Sequence, residues 1–449
     1  MRNVSPEFTD VCVLGGGWAG LLAARELVRG PVSHGVKVLE QDSREDAGGL
    51  LKSIEIDGFT FDCGGPHILF SKYQETLDEI GGLLGTNQVK LPRRNFVYFE
   101  GQMVPYPFEN GMYQLPAEAR VRLGGGIIEA AITRASDPSW APKSFHDWIY
   151  GFFGQHMGSE YLEPYNRKIW KRDLNAMSAD WVFTPGRLPS PEIPDIARAI
   201  AGLESVGYRE QAMFLYPKRG GIQSLYRSLL GLVEESGVSV EFGSPVRKLR
   251  RLPDGWEVND TVRCKQIVST IPLPSMAALL GSQLSTFDLP SALDYNRVLV
   301  VGVAMKGESP NQTAVFVPQP EVPFHRYTWM SYLNSPTHGG ANLIAEVTIP
   351  RFEQCDVAQT SQAVVKGLVG IGVIPNDGSV LFVRSWLNEY GYPIYNHGHA
   401  TVRDAVLSEL RNLGIFSVGR WGSWHYWNTD MVLRAVRSTV ANMDTTQSE

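Results

Sequence analysis

Asp10-Val11-Cys12-Val13-Leu14-Gly15-Gly16-Gly17-Trp18-Ala19-Gly20 decides the fold of this chain, because an apolar strand runs there into a G-x-G-x-x-G turn and Leu21 to Arg29 continues with helical spacing. The glycines permit a tight turn and let the backbone approach a pyrophosphate, whose charge the free N–H groups and dipole of a helix N-terminus stabilise. A second strand, Val36 to Leu39, ends in Glu40, 20 residues past Gly20. That is the spacing of an acid that accepts hydrogen bonds from a ribose. Strand, turn, helix, strand and acid in this order point to a bound dinucleotide more strongly than the glycines alone.

Further along the chain, Gly48-Gly49 follows Glu40 within one short loop, and Phe61-Asp62-Cys63-Gly64-Gly65-Pro66-His67 offers a second glycine pair after a hairpin-like segment. Such extra points of close approach suit a long, deeply held FAD better than a nicotinamide cofactor that must come and go. With 449 residues the chain is expected to form two or three domains. Its net charge is −6, with no cluster of Lys and Arg to track a phosphate backbone, so nucleic acid is an unexpected partner. Cys12, Cys63, Cys264 and Cys355 lack metal-ligand spacing and read as reduced thiols. The opening residues lack the apolar core of a secretory signal, and no apolar run of about 18 residues appears. A cytoplasmic protein without a membrane span is therefore expected.

The fold class expected is α/β: a Rossmann-like FAD-binding domain with an inserted helical domain and a mostly antiparallel β-sheet domain. The FAD-binding domain takes residues 1–89, 215–274 and 391–449. The sheet domain takes 90–113 and 275–390, and 114–214 form the helical substrate domain. Helical spacing covers Ala117 to Ala135 and Phe145 to Trp170, and β-rich stretches include Arg297 to Met305, Thr328 to Leu333 and Asn342 to Ile349.

No nucleophile–base motif stands in the chain, so the hard chemistry is expected from the flavin, with the protein supplying binding, orientation and electrostatics. Arginines among aromatics can grip a phosphate while rings hold a base. Two such constellations occur, Pro323-Phe324-His325-Arg326-Tyr327 and Gly419-Arg420-Trp421-Gly422-Ser423-Trp424-His425-Tyr426-Trp427-Asn428-Thr429-Asp430-Met431. An arginine beside aromatics is more often a packed ion pair; two of them on a flavin scaffold shift the reading to anion binding.

The chain resembles flavin-dependent UDP-galactopyranose mutases, closest to the eukaryotic type, within the wider amine oxidase and protoporphyrinogen oxidase-like FAD proteins. The matching segments are Gly15 to Gly20 with Glu40, Gly65-Pro66-His67-Ile68-Leu69-Phe70-Ser71, Val104-Pro105-Tyr106-Pro107-Phe108, Pro164-Tyr165-Asn166-Arg167-Lys168-Ile169-Trp170, Pro323-Phe324-His325-Arg326, Gly391-Tyr392-Pro393 and Gly419 to Tyr426. The resemblance implies isomerisation of a nucleotide sugar between pyranose and furanose forms without net redox change, N5 of reduced FAD attacking the anomeric carbon. NADPH or NADH is the implied reductant, received with the help of Arg93, and a homo-oligomer is left open.

By motif position, Arg326 and Arg420 are implied to grip the diphosphate, with Arg187 as a third arginine, and Tyr392 and Tyr426 to bond the phosphates. Tyr106, Phe108, Asn166, Trp170 and Asn428 fall around the base and sugar, and His67 falls on the flavin face. Gly15, Gly17, Trp18, Ala19, Gly20, Glu40, Gly48, Gly49, Gly65, Val246, Gly419, Asp430 and Met431 are implied to hold FAD. Four positions depart from the family: Phe316 replaces a phosphate-binding Tyr, Glu109 a Gln near the base, Gln211 an Asn beside the substrate, and Leu333 or its neighbour Tyr332 stands at another Tyr. Loss of a hydroxyl donor weakens a phosphate grip by about 1–2 kcal/mol, and Glu109 puts an anion where an amide read uracil. The alternatives are an amine oxidase or protoporphyrinogen oxidase-like oxidoreductase, and a catalytically silent flavoprotein that binds a nucleotide sugar.

Overall fold

In the computed structural model, which describes residues 6–30, 35–183, 191–205, 212–285 and 289–445, the strand Glu7–Leu14 runs through the middle of a seven-stranded sheet. Val11 to Leu14 are at most 1% exposed, as befits a parallel strand covered on both faces. Val36–Leu39 lies beside it on one side and Val262–Ser269 on the other, both parallel. Ser239–Glu241 extends one edge, the hairpin Leu249–Leu252 and Gly255–Val258 the other, and Ile415–Ser417 also pairs with Val262–Ser269. Because the chain leaves Glu7–Leu14 to one side and returns on the other, a crevice opens at that strand's carboxyl end, where open α/β sheets bind ligands.

Local chemistry sets the turn there. Gly15 has φ +94°, a conformation that side-chain-bearing residues rarely adopt, and a Cβ on it would lie 2.6 Å from Thr270 Oγ1. A Cβ on Gly20 would lie 1.8 Å from the Gly15 carbonyl oxygen, so the helix Trp18–Arg29 can start immediately only if Gly20 stays bare. Gly17 has nothing within 4 Å of its ideal Cβ and leaves its backbone open to the crevice.

The second seven-stranded sheet runs in the order Val380–Pro393, Tyr295–Met305, Ala341–Pro350, Arg326–Trp329, Ala314–Phe316, Phe96–Phe99, Gln102–Pro105. It is antiparallel apart from the junction of Ala314–Phe316 with Phe96–Phe99. Register places Phe316 opposite Arg326 and Arg326 opposite Glu346, a row across three strands. The helical region between residues 108 and 200 is tied at its neck by an antiparallel ribbon of Gln88–Pro92 with Met213–Pro217.

The α/β architecture agrees with the sequence expectation, while several elements differ in detail. Phe145 to Trp170 is not one helix: Phe145–Met157, capped by Ser144 Oγ accepting from Asp147 N at 3.0 Å, kinks at Gly154 (φ 73°). A Cβ at Gly154 would lie 2.1 Å from the Gly126 carbonyl oxygen; the close crossing with Ala117–Ser136 produces the break. A π turn, Gly158–Leu162, leads on to Glu163–Trp170. The strand expected from Thr328 to Leu333 ends at Trp329 and turns into a short helix, Met330–Leu333, because Ser331 Oγ bonds Asn342 O and Ser309 Oγ, and Tyr332 OH bonds Pro92 O. Helices Val357–Gly370 and His399–Asn412 were not expected from periodicity. Among the described residues, no helix is long and apolar enough to cross a membrane.

Candidate functional site

A cavity of about 1030 Å³ starts at the crevice and runs between the two sheets to the helical region. Of the residues expected at the site, Gly15, Gly17, Trp18, Ala19, Glu40, Gly48, Gly49, Gly65, His67, Val246, Tyr106, Asn166, Trp170, Arg326, Tyr392, Arg420, Tyr426 and Asn428 line it. Gly20 and Gly419 stand just behind the wall, where a Cβ on Gly419 would meet Ala19 Cβ at 2.7 Å. Asp430 and Met431 lie in the first turn of the last helix, Thr429–Thr445, beside the lining residues Thr429 and Val432. Phe108 does not reach the cavity: it is fully buried, its ring against Phe99 at 4.9 Å and Tyr161 at 4.7 Å. Its place in the wall goes to Tyr161. Arg187 and Gln211 lie outside the described residues.

The crevice end is made of backbone. Glu40 accepts from Gly16 N at 2.6 Å and Asp42 N at 2.9 Å, which fixes its carboxylate at the cavity wall with lone pairs to spare. Burial pushes its carboxyl up from the ordinary value. Gly48, Gly49 and Gly65 all take positive φ. Trp18 Nε1 donates to Thr429 O at 3.1 Å, joining the first helix to the last. These bare, conformationally committed glycines fit a dinucleotide that must lie against main chain.

Between the two ends stands His67. Its Nδ1 donates to the Gly65 carbonyl at 2.8 Å, so a neutral ring carries its proton on Nδ1 and leaves Nε2 as an acceptor. Burial, then the positive charge of Arg420, lower its pKa to about 4, and the ring is neutral near pH 7. The turn before it is held by Asp62, which accepts from Ser53 Oγ and Tyr216 OH, both at 2.7 Å, and from Ile222 N at 3.3 Å. Complete burial raises the Asp62 carboxyl to about 6.

The other end is made of side chains. Arg326 pairs with Glu346 through Nε–Oε2 at 2.5 Å, and Tyr392 OH donates to Glu346 Oε1 at 3.3 Å. Burial opposes the Arg326 charge, yet Glu346 outweighs it and holds the guanidinium above its ordinary affinity for its proton. Breaking a pair this buried costs about 3–5 kcal/mol. Arg420 is different. Its Nη2 bonds the Gly391 carbonyl at 2.9 Å and its guanidinium lies 4.3 Å from the Tyr426 ring centroid. Among the described residues no carboxylate pairs with it, and its Nε is buried without a partner. Asn166 and Trp170 lock each other, Trp170 Nε1 donating to Asn166 Oδ1 at 3.0 Å, and Tyr106 lies against Phe316 with centroids 4.7 Å apart. Arg93 also lines the wall, over the ring of Phe70.

Sequence reasoning missed Glu346, although one acid inside the buried apolar run Ala341–Pro350 was a signal, since a strand covered on both faces keeps a charge only with a partner. Asn388, Tyr390 and Ser275 in the wall gave no such signal. Among the described residues no cluster of His, Cys, Asp or Glu could hold a metal ion.

Residues 18–438 match the family described as flavin containing amine oxidoreductase. Pseudooxynicotine dehydrogenase from Pseudomonas sp is 25% identical over 289 residues, which are 60% of this chain and 52% of that protein. The chain thus spans about half the length of this curated relative. Among solved structures, reduced UDP-galactopyranose mutase superposes with a TM-score of 0.86 at 23% identity, covering 98% of this chain and 96% of that one. A putative protoporphyrinogen oxidase from Exiguobacterium sp. 255-15 superposes at 0.75 with 18% identity, covering 99% of this chain and all of that one. Cyclohexylamine oxidase from Brevibacterium oxydans IH-35A follows at 0.67 and 16%, covering 98% of this chain and 100% of that one. These likenesses carry the fold.

Proposed function

This chain belongs to the flavin containing amine oxidoreductase family, and we propose that it works there as a flavin-dependent isomerase, interconverting the pyranose and furanose forms of UDP-galactose or a related nucleotide sugar. One observation carries the reading: Arg420 is a cavity-lining guanidinium with no carboxylate partner among the described residues, and it shares its cavity with Arg326. A cavity-lining cation without a carboxylate partner suits an anionic ligand, and a diphosphate is an anion that two guanidiniums can grip. The glycine-lined crevice fits FAD, which when reduced supplies the electron pair that displaces the nucleoside diphosphate from the sugar's anomeric carbon.

The residues of the chain then have distinct tasks. Arg420 and Arg326 stabilise the departing diphosphate and keep it within reach for recapture, the kind of preorganised electrostatics worth about 10²- to 10³-fold in rate. Tyr392 and Tyr426 offer hydroxyls beside them. His67, neutral with Nε2 free to accept, holds a proton position at the flavin face. Trp170, Tyr106 and Phe316 keep water from the opened sugar. NADPH or NADH, received near Arg93, and a cytoplasmic setting complete the proposal.

The family and the pseudooxynicotine dehydrogenase match favour a second reading, net oxidation of an amine. Product analysis separates the two. Purified holoprotein is given UDP-galactofuranose and a panel of nucleotide sugars without oxygen, reduced by dithionite or left oxidised. We expect conversion only when reduced, with no stoichiometric flavin oxidation, and a loss of at least about 100-fold in kcat/KM for Arg326→Ala and Arg420→Ala with FAD retained. Nucleotide sugars left untouched by the reduced protein, while oxidised protein given air and an amine consumes oxygen, would overturn the proposal.

A further inference from the structure

Most buried carboxyls among the described residues are well supplied with partners. Glu346 has Arg326 and Tyr392, Asp62 has Ser53 and Tyr216, Glu257 has Arg250 and Arg263, and Asp294 has Arg172 and Arg351. Glu109 breaks the pattern. It is 7% exposed and lines the cavity, yet among the described residues its carboxyl bonds no side chain and takes only its own backbone N–H. At the cavity wall that carboxyl keeps lone pairs to spare, which a donor from a ligand can take up.

The surroundings define that ligand's shape. Tyr106 lies against Phe316, Tyr165 meets Phe316 edge-on at 5.7 Å, and Tyr161 lines the same wall. These are faces for a flat ring. Phe316 also stands directly opposite Arg326 in the sheet register, so the aromatic chamber begins one strand from a guanidinium. Glu109 lines the same cavity and is close enough to Tyr161 to act on it electrostatically, so a ligand with its phosphates on Arg326 and Arg420 and its ring in this chamber shares the cavity with the Glu109 carboxyl.

Resting on the reading that a nucleotide sugar is bound, we propose that Glu109 selects the base: its carboxyl takes an exocyclic amino group, so the site prefers guanine, adenine or cytosine to uracil. An ionised carboxylate only accepts hydrogen bonds. Uracil offers its single ring N–H between two carbonyl oxygens, which a carboxylate repels, whereas an amino group offers donors. Discrimination by one well-placed contact of this kind is about ten- to hundredfold.

The test is the binding of GDP, ADP, CDP and UDP to oxidised holoprotein at about pH 8, above the value of about 7 to which burial raises the Glu109 carboxyl, followed through the flavin spectrum and by calorimetry. Wild type is expected to hold at least one amino-bearing diphosphate about tenfold or more tighter than UDP, and Glu109→Gln to narrow that gap by a similar factor, mainly by gaining UDP. If Glu109→Gln loses its flavin, Glu109→Ala replaces it, with a narrowing expected because the carboxylate is gone. Equal or tighter binding of UDP by wild type, or an unchanged order of preference in the variant, overturns the inference. Uniform binding of all four that Arg420→Ala abolishes removes only the base selection and leaves the nucleotide reading standing. No binding of any of them removes both.

Discussion

Around the glycine turns the cavity wall is main chain, and around Arg326 and Arg420 it is side chain. At the first end Gly15, Gly48, Gly49 and Gly65 hold positive φ, and the polar contacts offered to a ligand are N–H groups and one carboxylate pinned by Gly16 N and Asp42 N. At the second, Arg326, Glu346, Tyr392, Arg420 and Tyr426 come from four separate segments and hold one another by ion pairs, hydroxyl bonds and ring contacts. A backbone site tolerates almost no change of residue yet asks little of the rest of the fold. A side-chain site can be retuned one residue at a time, but only while each partner keeps its counterpart. The first end suits a cofactor that stays, the second a substrate that differs between relatives of one fold.

The sharpest way to break this contrast is Gly15→Val. Positive φ and the 2.6 Å approach of Thr270 Oγ1 leave no room for a side chain, so we expect protein with flavin absorbance reduced about tenfold or more, a strained site of this kind costing about 1–3 kcal/mol before any clash. Full flavin content in that variant would show that the backbone end is less committed than its conformation says.

Next in size is the coupling between the ends, which His67 reports. Its pKa of about 4 lies below the ordinary 6.5 because of burial and then Arg420. A depressed folded-state value means that the ring contributes stability that is present above pH 6.5 and lost as pH falls through about 4. In Arg420→Ala, histidine NMR should show the His67 pKa rising by about one unit. A value still near 4 would mean that the two ends do not sense each other.

The smallest effect tests retuning. Phe316 stands opposite Arg326 in register, and Phe316→Tyr adds a hydroxyl donor at the phosphate side of the chamber. UDP affinity should improve about five- to tenfold, the worth of one added hydrogen bond of about 1 kcal/mol, with flavin content unchanged. A weaker grip would indicate that the hydroxyl is spent on Tyr106 or Tyr165 instead.

The same contrast explains what was legible in the sequence. Glu7–Leu14, the glycine turn and Trp18–Arg29 are contiguous, so their spacing carried the reading of the crevice. Arg326 and Arg420 stood out only because each sits among aromatics, and Phe108 was misplaced because a motif position does not say which ring faces inward; Tyr161 does. Glu346 was hidden by distance, 20 residues from its partner, although a lone acid in an apolar strand signalled that some partner existed. The break at Gly154 depends on Gly126 across a helix crossing, a contact that periodicity within one segment cannot contain.

The junction of the first and last helices has a consequence for biosynthesis. Trp18 leans on the carbonyl of Thr429, and Thr429 and Val432 share the cavity wall with Gly15. The pocket therefore lacks part of its wall until Thr429 to Val432 have left the ribosome, long after the glycine turn has been made. A nascent chain stalled ahead of the helix Thr429–Thr445 would present an incomplete flavin pocket whatever the supply of cofactor.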